Sequence, residues 1–281
     1  MRFGTMVTNP VSRDPIVIAS AFATLNQVTG GRVECGIGRG DSVVRVLHRR
    51  PATVAATEDA VTLIRALGGG EPAEIDGSEV RLDWVRSGPL PVYVAAYGPR
   101  MMEVAGRAGD GVILECADPY FIRWALAHVR RGAEQAGRDP DRIKVVVSTA
   151  TYVSKDRAYA RDKVRALGAV VGNHIAEVLQ NNGPDSLPPE LALMVEKRSE
   201  YDYQQHVVAG ASHADYVADE VIDRLCIVGS EEECVERLRG LEGLGVTHVN
   251  FYAQVDDFAE QMRIYGRNIL PRLRSAAPAE L

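Results

Sequence analysis

The chain has 281 residues, a formal net charge of −6 and a pI near 5.6. Nucleic acids and anionic membrane surfaces recruit basic proteins, so this acidic balance argues against both kinds of partner. Hydrophobic residues make up 46% and charged residues 25%, which is ordinary globular composition, and the length suffices for one large α/β barrel with a sizeable core. No apolar run approaches a membrane span and the first residues have no apolar signal core, so we expect a soluble protein.

The four cysteines are too sparse and irregular for a disulfide framework. They are Cys35, Cys116, Cys226 and Cys234. No two form a CxxC pair, and no histidine cluster has metal-ligand spacing. We therefore expect reduced thiols, a cytoplasmic location and no metal site.

The first part of the chain alternates short β-branched strands with amphipathic helices. Asp14 as N-cap and Pro15 at the first helical position predict where the first helix begins. The Gly68-Gly69-Gly70 run ends the second helix. Strands are predicted at residues 3–8 and 32–37, and helices at residues 15–28 and 54–67.

Residues 73–82 interrupt this alternation and predict a hairpin that turns at Asp76-Gly77. We interpret the hairpin as an excursion from the main fold. The alternation then resumes, with strands predicted at residues 92–95, 111–114 and 143–153 and helices at residues 99–108 and 120–136.

Residues 156–224 carry helical patterns without a clear strand and predict a second, mostly helical excursion. Asn181-Asn182-Gly183-Pro184 and Leu187-Pro188-Pro189 punctuate it. After it, Ser230 and Glu233 form the capping box of a helix. A strand at residues 247–253 and a last helix complete the pattern.

Strands separated by helices need crossover connections, so the sheet is expected to be mainly parallel. The pattern predicts an α/β fold, a (β/α)8 TIM barrel, with about six of its eight strands recognisable. Because the C-terminal end looks complete, we expect the shortage at the start. We interpret residues 1–281 as a single barrel domain.

A barrel builds its active site from loops at the carboxyl ends of its strands. Four successive strands end in segments suited to a flat, phosphorylated cofactor, at residues 6–10, 36–41, 95–100 and 115–118. Gly36, Gly38 and Gly40 would let the backbone approach a ligand closely, although a tight turn without a ligand also explains them.

Gly98-Pro99-Arg100 is a stronger signal, because a helix that begins at proline leaves free N–H groups for an anion. Arg100 would add charge-assisted contacts to a phosphate. An ordinary proline-initiated helix is an equal alternative. Met6-Val7 ends the first strand, where a bulge would press on a ring system or simply pack in the core.

The remaining candidates are weaker. Glu115 and Asp41 would handle protons, but neither has a visible partner, so a solvated or capping role is favoured. Cys116 at a strand end would be reactive only if it were not buried. A structural role is favoured for four more residues, namely Tyr201, Tyr203, His206 and His213. No nucleophile triad is recognisable.

Several short stretches occur in the order found in one known family. They are Val7-Thr8-Asn9-Pro10, Arg13-Asp14-Pro15, Gly30-Gly31-Arg32, Gly36-Ile37-Gly38-Arg39-Gly40-Asp41-Ser42, Tyr97-Gly98-Pro99-Arg100-Met101, Ala108-Gly109-Asp110-Gly111-Val112, Ile227-Val228-Gly229-Ser230, Glu232-Glu233-Cys234 and Leu244-Gly245-Val246. The set resembles the luciferase-like superfamily of flavin-dependent oxidoreductases. It is most similar to the coenzyme F420 branch, which includes methylenetetrahydromethanopterin reductases.

This resemblance implies a non-prolyl cis peptide at Met6–Val7 behind the ring of the cofactor. It also implies that the Gly38–Asp41 loop and the Ala96–Pro99 segment hold the ribityl and phosphate portions. The expected cofactor-binding residues are therefore Met6, Val7, Thr8, Gly38, Arg39, Gly40, Ala96, Gly98, Pro99 and Arg100.

Family members usually begin with a strand, a helix and a further strand before the segment that matches residues 2–8. Those elements generally supply substrate-contacting and proton-handling groups, so no catalytic residue is predicted here. Either the sequence starts at an internal methionine or the protein is a divergent or inactive relative. We expect the internal start, since a barrel without its first strands would expose unpaired edges.

The resemblance implies hydride transfer between F420 and a small organic substrate. An FMN-dependent monooxygenase is the alternative within the enzyme class, and a non-catalytic deazaflavin-binding protein or partner subunit is the alternative outside it. The apolar, alanine-rich helix at residues 15–28 predicts a homodimer.

Overall fold

The computed structural model describes residues 1–183, 202–205, 214–252 and 255–274. The chain divides into two compact units. Unit 1 comprises Met1–Ile113 and Ala125–Val145, and unit 2 comprises Leu114–Trp124 and Val146–Leu281.

Unit 1 alternates strands and helices over its whole length. Its elements are β1 (Phe3–Gly4), α1 (Pro15–Val28), β2 (Val33–Ile37), α2 (Ser42–Val46), α3 (Val54–Gly68), β3 (Ala73–Ile75), β4 (Ser78–Val80), β5 (Val92–Ala95), α4 (Pro99–Ala108), β6 (Gly111–Leu114) and most of α5 (Pro119–Gln135).

Within unit 1 the strands β1, β2, β5 and β6 pair in that order, and all three pairings are parallel. Parallel neighbours need a crossover, which the intervening helices supply. α1 packs against α3, and Ala19 and Ala23 of α1 and Ile64 of α3 are fully buried. The carboxyl ends of β1, β2 and β5 therefore lie side by side.

Unit 2 centres on a long strand. Its elements are most of β7 (Lys144–Val153), α6 (Arg157–Asn182), a short 3-10 helix (Tyr203–Gln205), α7 (Asp219–Leu225), β8 (Ile227–Gly229), α8 (Glu231–Glu242), β9 (His248–Tyr252), α9 (Phe258–Ile264), a π-helix (Tyr265–Ile269) and α10 (Leu270–Arg274). β7 pairs in parallel with β9 along residues 146–150 and with β8 along residues 151–153.

The predictions with strong local signals are confirmed. Asp14 caps α1 by accepting a hydrogen bond from the Ile16 amide at 2.7 Å. The hairpin turns at Asp76-Gly77, both with positive φ, and Ser230 and Glu233 form the capping box of α8. The predicted bounds of α1, β5, α4 and β6 agree with the observed ones.

Two strand predictions need correction. The first strand was expected to run to Thr8, but β1 ends at Gly4. The next residue, Thr5, donates its side-chain hydroxyl to the Gly36 carbonyl. Thr8 rejoins the sheet through an isolated bridge to Ile37. β8 was not predicted, because three residues are too few to show a period of two.

All four cysteines are free and buried. Burial raises the pKa of the Cys35 thiol to about 12, that of Cys226 to about 12 and that of Cys234 to about 11. These thiols therefore stay protonated at neutral pH. None of the helices in the described ranges combines the length and apolarity needed to cross a membrane.

Arginines on α6 bind aspartates on α7. The Arg161 guanidinium donates to Asp223 and, at 3.0 Å, to Asp219, which also accepts from Arg165 at 2.7 Å. The Arg165 hydrogen bond lowers the pKa of Asp219, and the Arg161 hydrogen bond lowers that of Asp223. This network ties the two helices together.

Because folding depresses both aspartate pKa values, the network stabilises the protein above the usual aspartate range. That stabilisation is lost as pH falls through the lower, folded-state values. We expect the urea midpoint to drop more steeply below pH ~4 in the wild type than in Arg161→Ala, since the variant has less pairing to lose. Urea melts at a series of pH values measure how the midpoint of each protein changes with pH. An equal fall of the midpoint in wild type and variant would contradict the prediction.

Candidate functional site

The first candidate segment is held against the end of β2. The Thr8 amide donates to the Gly36 carbonyl at 2.9 Å, and the Gly38 amide donates to the Thr8 carbonyl at 2.9 Å. The Met6–Val7 peptide bond is cis, as the family resemblance implied. Thr8 and Gly38 thus lie side by side at adjacent strand ends.

Three strand ends converge at Gly38. A Cβ placed there would lie 3.3 Å from Val7 Cγ2 and 3.4 Å from Ala95 Cβ. Met6 and Val7 expose 39% and 40% of their surface, although both are apolar. The arrangement leaves an apolar surface at the carboxyl ends of β1 and β2, which suits the face of a flat ring.

The Gly38–Asp41 loop is fixed from both sides. Arg39 Nε donates to the Ala52 carbonyl at 2.6 Å, and the Ala52 amide donates back to the Arg39 carbonyl at 2.9 Å. Gly40 has a φ of +91°, and a Cβ there would lie 2.6 Å from Val44. The turn itself therefore requires this glycine, whether or not a ligand binds.

Asp41 has a partner that the sequence did not reveal. Its Oδ1 accepts a hydrogen bond from Arg45 Nε at 3.0 Å, and it makes no side-chain cap bond to α2. Asp41 is nevertheless the N-cap residue of α2, and its side chain is 25% exposed. The carboxylate is held in place beside the loop.

The third segment enters α4. The buried Ala96 extends the β5–β6 ladder by donating its amide to the Ile113 carbonyl at 3.1 Å. Gly98 is the N-cap of α4 and Pro99 its first residue, as predicted. The Arg100 side chain is exposed and forms no ion pair or hydrogen bond with any described residue. This helix start is therefore open to an anion.

Unit 2 contains a partly buried polar cluster that the sequence did not predict. Glu115 directly follows β6, and Tyr252 is the last residue of β9. The Tyr252 hydroxyl donates to Glu115 Oε1, and His174 Nδ1 lies 3.4 Å from Glu115 Oε2. The side chains of His174 and Glu115 are only 11% and 15% exposed. The favoured solvated or capping role of Glu115 is thus wrong.

Burial, together with the nearby Glu115 carboxylate, raises the pKa of Tyr252 well above its ordinary value. Tyr252 therefore keeps its proton at neutral pH. A carboxylate that accepts a hydrogen bond from a phenol and has an imidazole nitrogen 3.4 Å away can take up or release a proton. Alternation along β9 puts Asn250 on the same face as Tyr252, and this polar pairing was the available sequence signal.

Other polar side chains of unit 2 bond to one another. Asn250 Nδ2 donates to Ser148 Oγ at 2.9 Å, and Asn173 Nδ2 donates to the Tyr203 hydroxyl at 2.9 Å. Tyr203 in turn donates to Glu177 at 3.1 Å. These bonds satisfy buried polar groups that would otherwise destabilise the fold.

Cys116 is buried, and burial raises the pKa of its thiol, so it is not a nucleophile. Tyr201, His206 and His213 lie outside the described residues. Within the described ranges, no group of three or more histidine, cysteine or acidic side chains is arranged to hold a metal ion.

The parallel strands, crossover helices and strand-end loops define a protein of the TIM-barrel class with a candidate cofactor site. Residues 1–248 match the family described as luciferase-like monooxygenase. The chain belongs to this family.

The chain is similar over most of its length to relatives of named activity. The chain is 28% identical to a 5,10-methylenetetrahydromethanopterin reductase of Methanolobus tindarius, over 96% of this chain and 83% of that protein. It is 29% identical to an F420-dependent glucose-6-phosphate dehydrogenase of Nakamurella multipartita, over 97% of this chain and 77% of that protein.

A solved structure agrees with the barrel fold. It is an F420-dependent secondary alcohol dehydrogenase in complex with an F420–acetone adduct, with a TM-score of 0.73 and 22% identity over 98% of this chain and 80% of that one. The expected family and fold are thus confirmed.

Proposed function

We propose that this protein is an F420-dependent oxidoreductase that transfers a hydride between the deazaflavin and a small organic substrate. The named relatives that use F420 support this proposal. The observation that carries it is the convergence of Val7, Gly38 and Ala95 at adjacent strand ends, which creates a surface for a flat ring.

The residues fit the coenzyme. Met6, Val7 and Thr8 would back the ring, and Gly38, Arg39 and Gly40 would border its ribityl chain. Ala96, Gly98, Pro99 and Arg100 would hold the phosphate at the start of α4. When bound, the coenzyme supplies the hydride chemistry, while the protein orients it and excludes water.

Fluorescence titration with F420, and with FMN in parallel, tests this proposal. Micromolar or tighter binding of F420 with none of FMN supports it. Binding of FMN alone, with oxygen consumption when the flavin is reduced, would instead support the monooxygenase alternative. Bound F420 without turnover on any electrophile would support a non-catalytic or partner-subunit role.

Independently of the cofactor segments of unit 1, we propose that Glu115 is a proton-exchanging group of unit 2. Barrel enzymes draw catalytic groups from the ends of several strands, and Glu115 and Tyr252 both stand at such ends. We expect Glu115→Gln to lower kcat about 100-fold, because the amide cannot exchange the proton, and to leave F420 affinity unchanged.

Glu177→Gln is the matched control, since Glu177 also accepts a hydrogen bond from a tyrosine hydroxyl in unit 2. Whether Glu115 exchanges a proton is decided by measuring the kcat, the KM and the F420 dissociation constant of both variants. Equal and small effects on kcat would leave Glu115 with a structural role.

We also propose that the protein is a cytoplasmic homodimer. The outer face of α1 exposes apolar side chains, with Val17 at 56%, Leu25 at 52% and Val28 at 81% of their surface. A second copy would cover this face. Light scattering of wild type and of Leu25→Glu measures the mass, and a monomeric wild type at micromolar concentration would contradict the dimer.

A further inference from the structure

Polar side chains gather on one face of the β7–β9 strand pair. In its parallel register Ser148 lies opposite Asn250, and Ala150 lies opposite Tyr252. Side chains two positions apart on a strand point to the same side, so these four residues share a face. Glu115 meets that face by accepting a hydrogen bond from the Tyr252 hydroxyl, and Asn250 donates to Ser148 on it at 2.9 Å. Hydrogen-bonding groups therefore line this face.

The opposite face of β7 is closed by the fold. Thr149 and Thr151 are buried there, and each hydroxyl donates at 2.8 Å to a backbone carbonyl in or next to β8. By contrast, Glu115, Asn250 and Tyr252 keep part of their surface exposed. Of the two faces, the polar one is therefore open to a ligand.

Glu115 has no cationic partner of permanent charge. Its carboxylate accepts from Tyr252 and lies 3.4 Å from His174 Nδ1, and no lysine or arginine within the described ranges forms an ion pair with it. His174 is positive only when it is protonated. Burial raises the pKa of Tyr252, so its phenol is uncharged at neutral pH. A phosphate or carboxylate bound on this face would thus meet a negative charge with no fixed cation to offset it.

We propose that Glu115 makes this face a specificity site, which accepts an uncharged alcohol and rejects phosphorylated and carboxylated compounds. The inference rests on the proposed function and names its substrate class. A ligand hydroxyl can donate to the Glu115 carboxylate and accept from the second N–H of the Asn250 amide, since an amide group carries two donors. A carboxylate or a fully ionised phosphate offers no donor, and it adds a like charge beside a partly buried carboxylate.

The test compares alcohols with anions of the same carbon skeleton, namely 2-butanol with 3-hydroxybutyrate, glycerol with glycerol 3-phosphate, and glucose with glucose 6-phosphate. Ligand-detected NMR titrations at pH 8, where imidazole carries no charge, give the dissociation constants with and without F420. We expect the alcohol to bind at least about 10-fold more tightly than its anionic counterpart, because it avoids the repulsion from Glu115.

Glu115→Gln is expected to reduce this preference to within about threefold, since its amide has a similar shape but carries no charge. Glu177→Gln removes a carboxylate that also accepts from a tyrosine hydroxyl in unit 2, and as the matched control it should keep the wild-type preference. Thermal melts check that both variants unfold cooperatively.

Wild-type protein that binds neither member of any pair, or binds the anions as tightly as the alcohols, would overturn the specificity site. An undiminished preference in a cooperatively folded Glu115→Gln protein would overturn it too. Each of these results leaves the proposed function standing as long as F420 binds. Failure of F420 to bind would instead overturn the proposed function and, with it, the substrate assignment.

Discussion

Gly106→Ala is expected to lower the free energy of unfolding by about 3 kcal/mol, because it forces apart two helices that meet at glycine. A Cβ at Gly106 on α4 would lie 2.0 Å from the Val129 carbonyl oxygen and 2.7 Å from the Ala133 nitrogen of α5. Both obstacles are backbone atoms, so no rotamer change can relieve the clash. Urea melts of the purified chain measure the effect.

The contact is reciprocal, which makes the expected effect large. A Cβ at Gly132 on α5 would lie 2.1 Å from the Glu103 carbonyl oxygen of α4. Arg138 Nη1 also donates to the Gly106 carbonyl at 2.7 Å. Separating these helices therefore disturbs packing and hydrogen bonding together.

Gly240→Ala is the matched control for this substitution. Gly240 lies inside α8, and apart from its chain neighbours and the backbone of its own helix no heavy atom stands within 4 Å of where its Cβ would be. Alanine there is expected to stabilise the protein by about 0.5–1 kcal/mol, because glycine is a poor helix former. Shifts of the same sign and size in both variants would refute the close helix contact.

The helices and strands that the sequence predicted well have local signals. Asp14 with Pro15 defines the start of α1, and Gly98 with Pro99 defines the start of α4. Each signal acts within one turn of the chain, so its physical cause is contained in a few neighbouring residues. The family resemblance added the cis peptide at Met6–Val7, which no local pattern predicts.

The polar cluster of unit 2 could not be predicted in the same way. Glu115 and Tyr252 are separated by 137 positions in the chain, and His174 joins them from α6. A carboxylate without a visible partner in sequence is usually solvated, so the sequence alone favours that role. Only the fold brings the phenol and the imidazole to Glu115.

The role of the glycines of the strand-end loop could be predicted only in part. The sequence left open whether Gly36, Gly38 and Gly40 serve a turn or a ligand. In the structure Gly40 is required by its φ of +91° and by Val44, so it needs no ligand to explain it. Gly38 has no such requirement from its φ, and its surroundings are side chains of adjacent strand ends.

Gly38 therefore provides the sharpest test of the cofactor surface. Gly38→Leu is expected to weaken F420 binding at least about 100-fold, which corresponds to about 2.7 kcal/mol. A leucine between Val7 and Ala95 must either displace Val7 or cover the apolar surface beside it. Both outcomes remove the face against which we place the ring.

Gly38→Ala separates this effect from a general loss of structure. Its Cβ would lie 3.3 Å from Val7 and 3.4 Å from Ala95, which needs shifts of only a few tenths of an ångström, so F420 affinity should stay within about threefold of wild type. Fluorescence titration gives the affinities, and thermal melts show whether both variants unfold cooperatively. A cooperatively folded Gly38→Leu protein that binds F420 like wild type would place the ring elsewhere and refute the strand-end site.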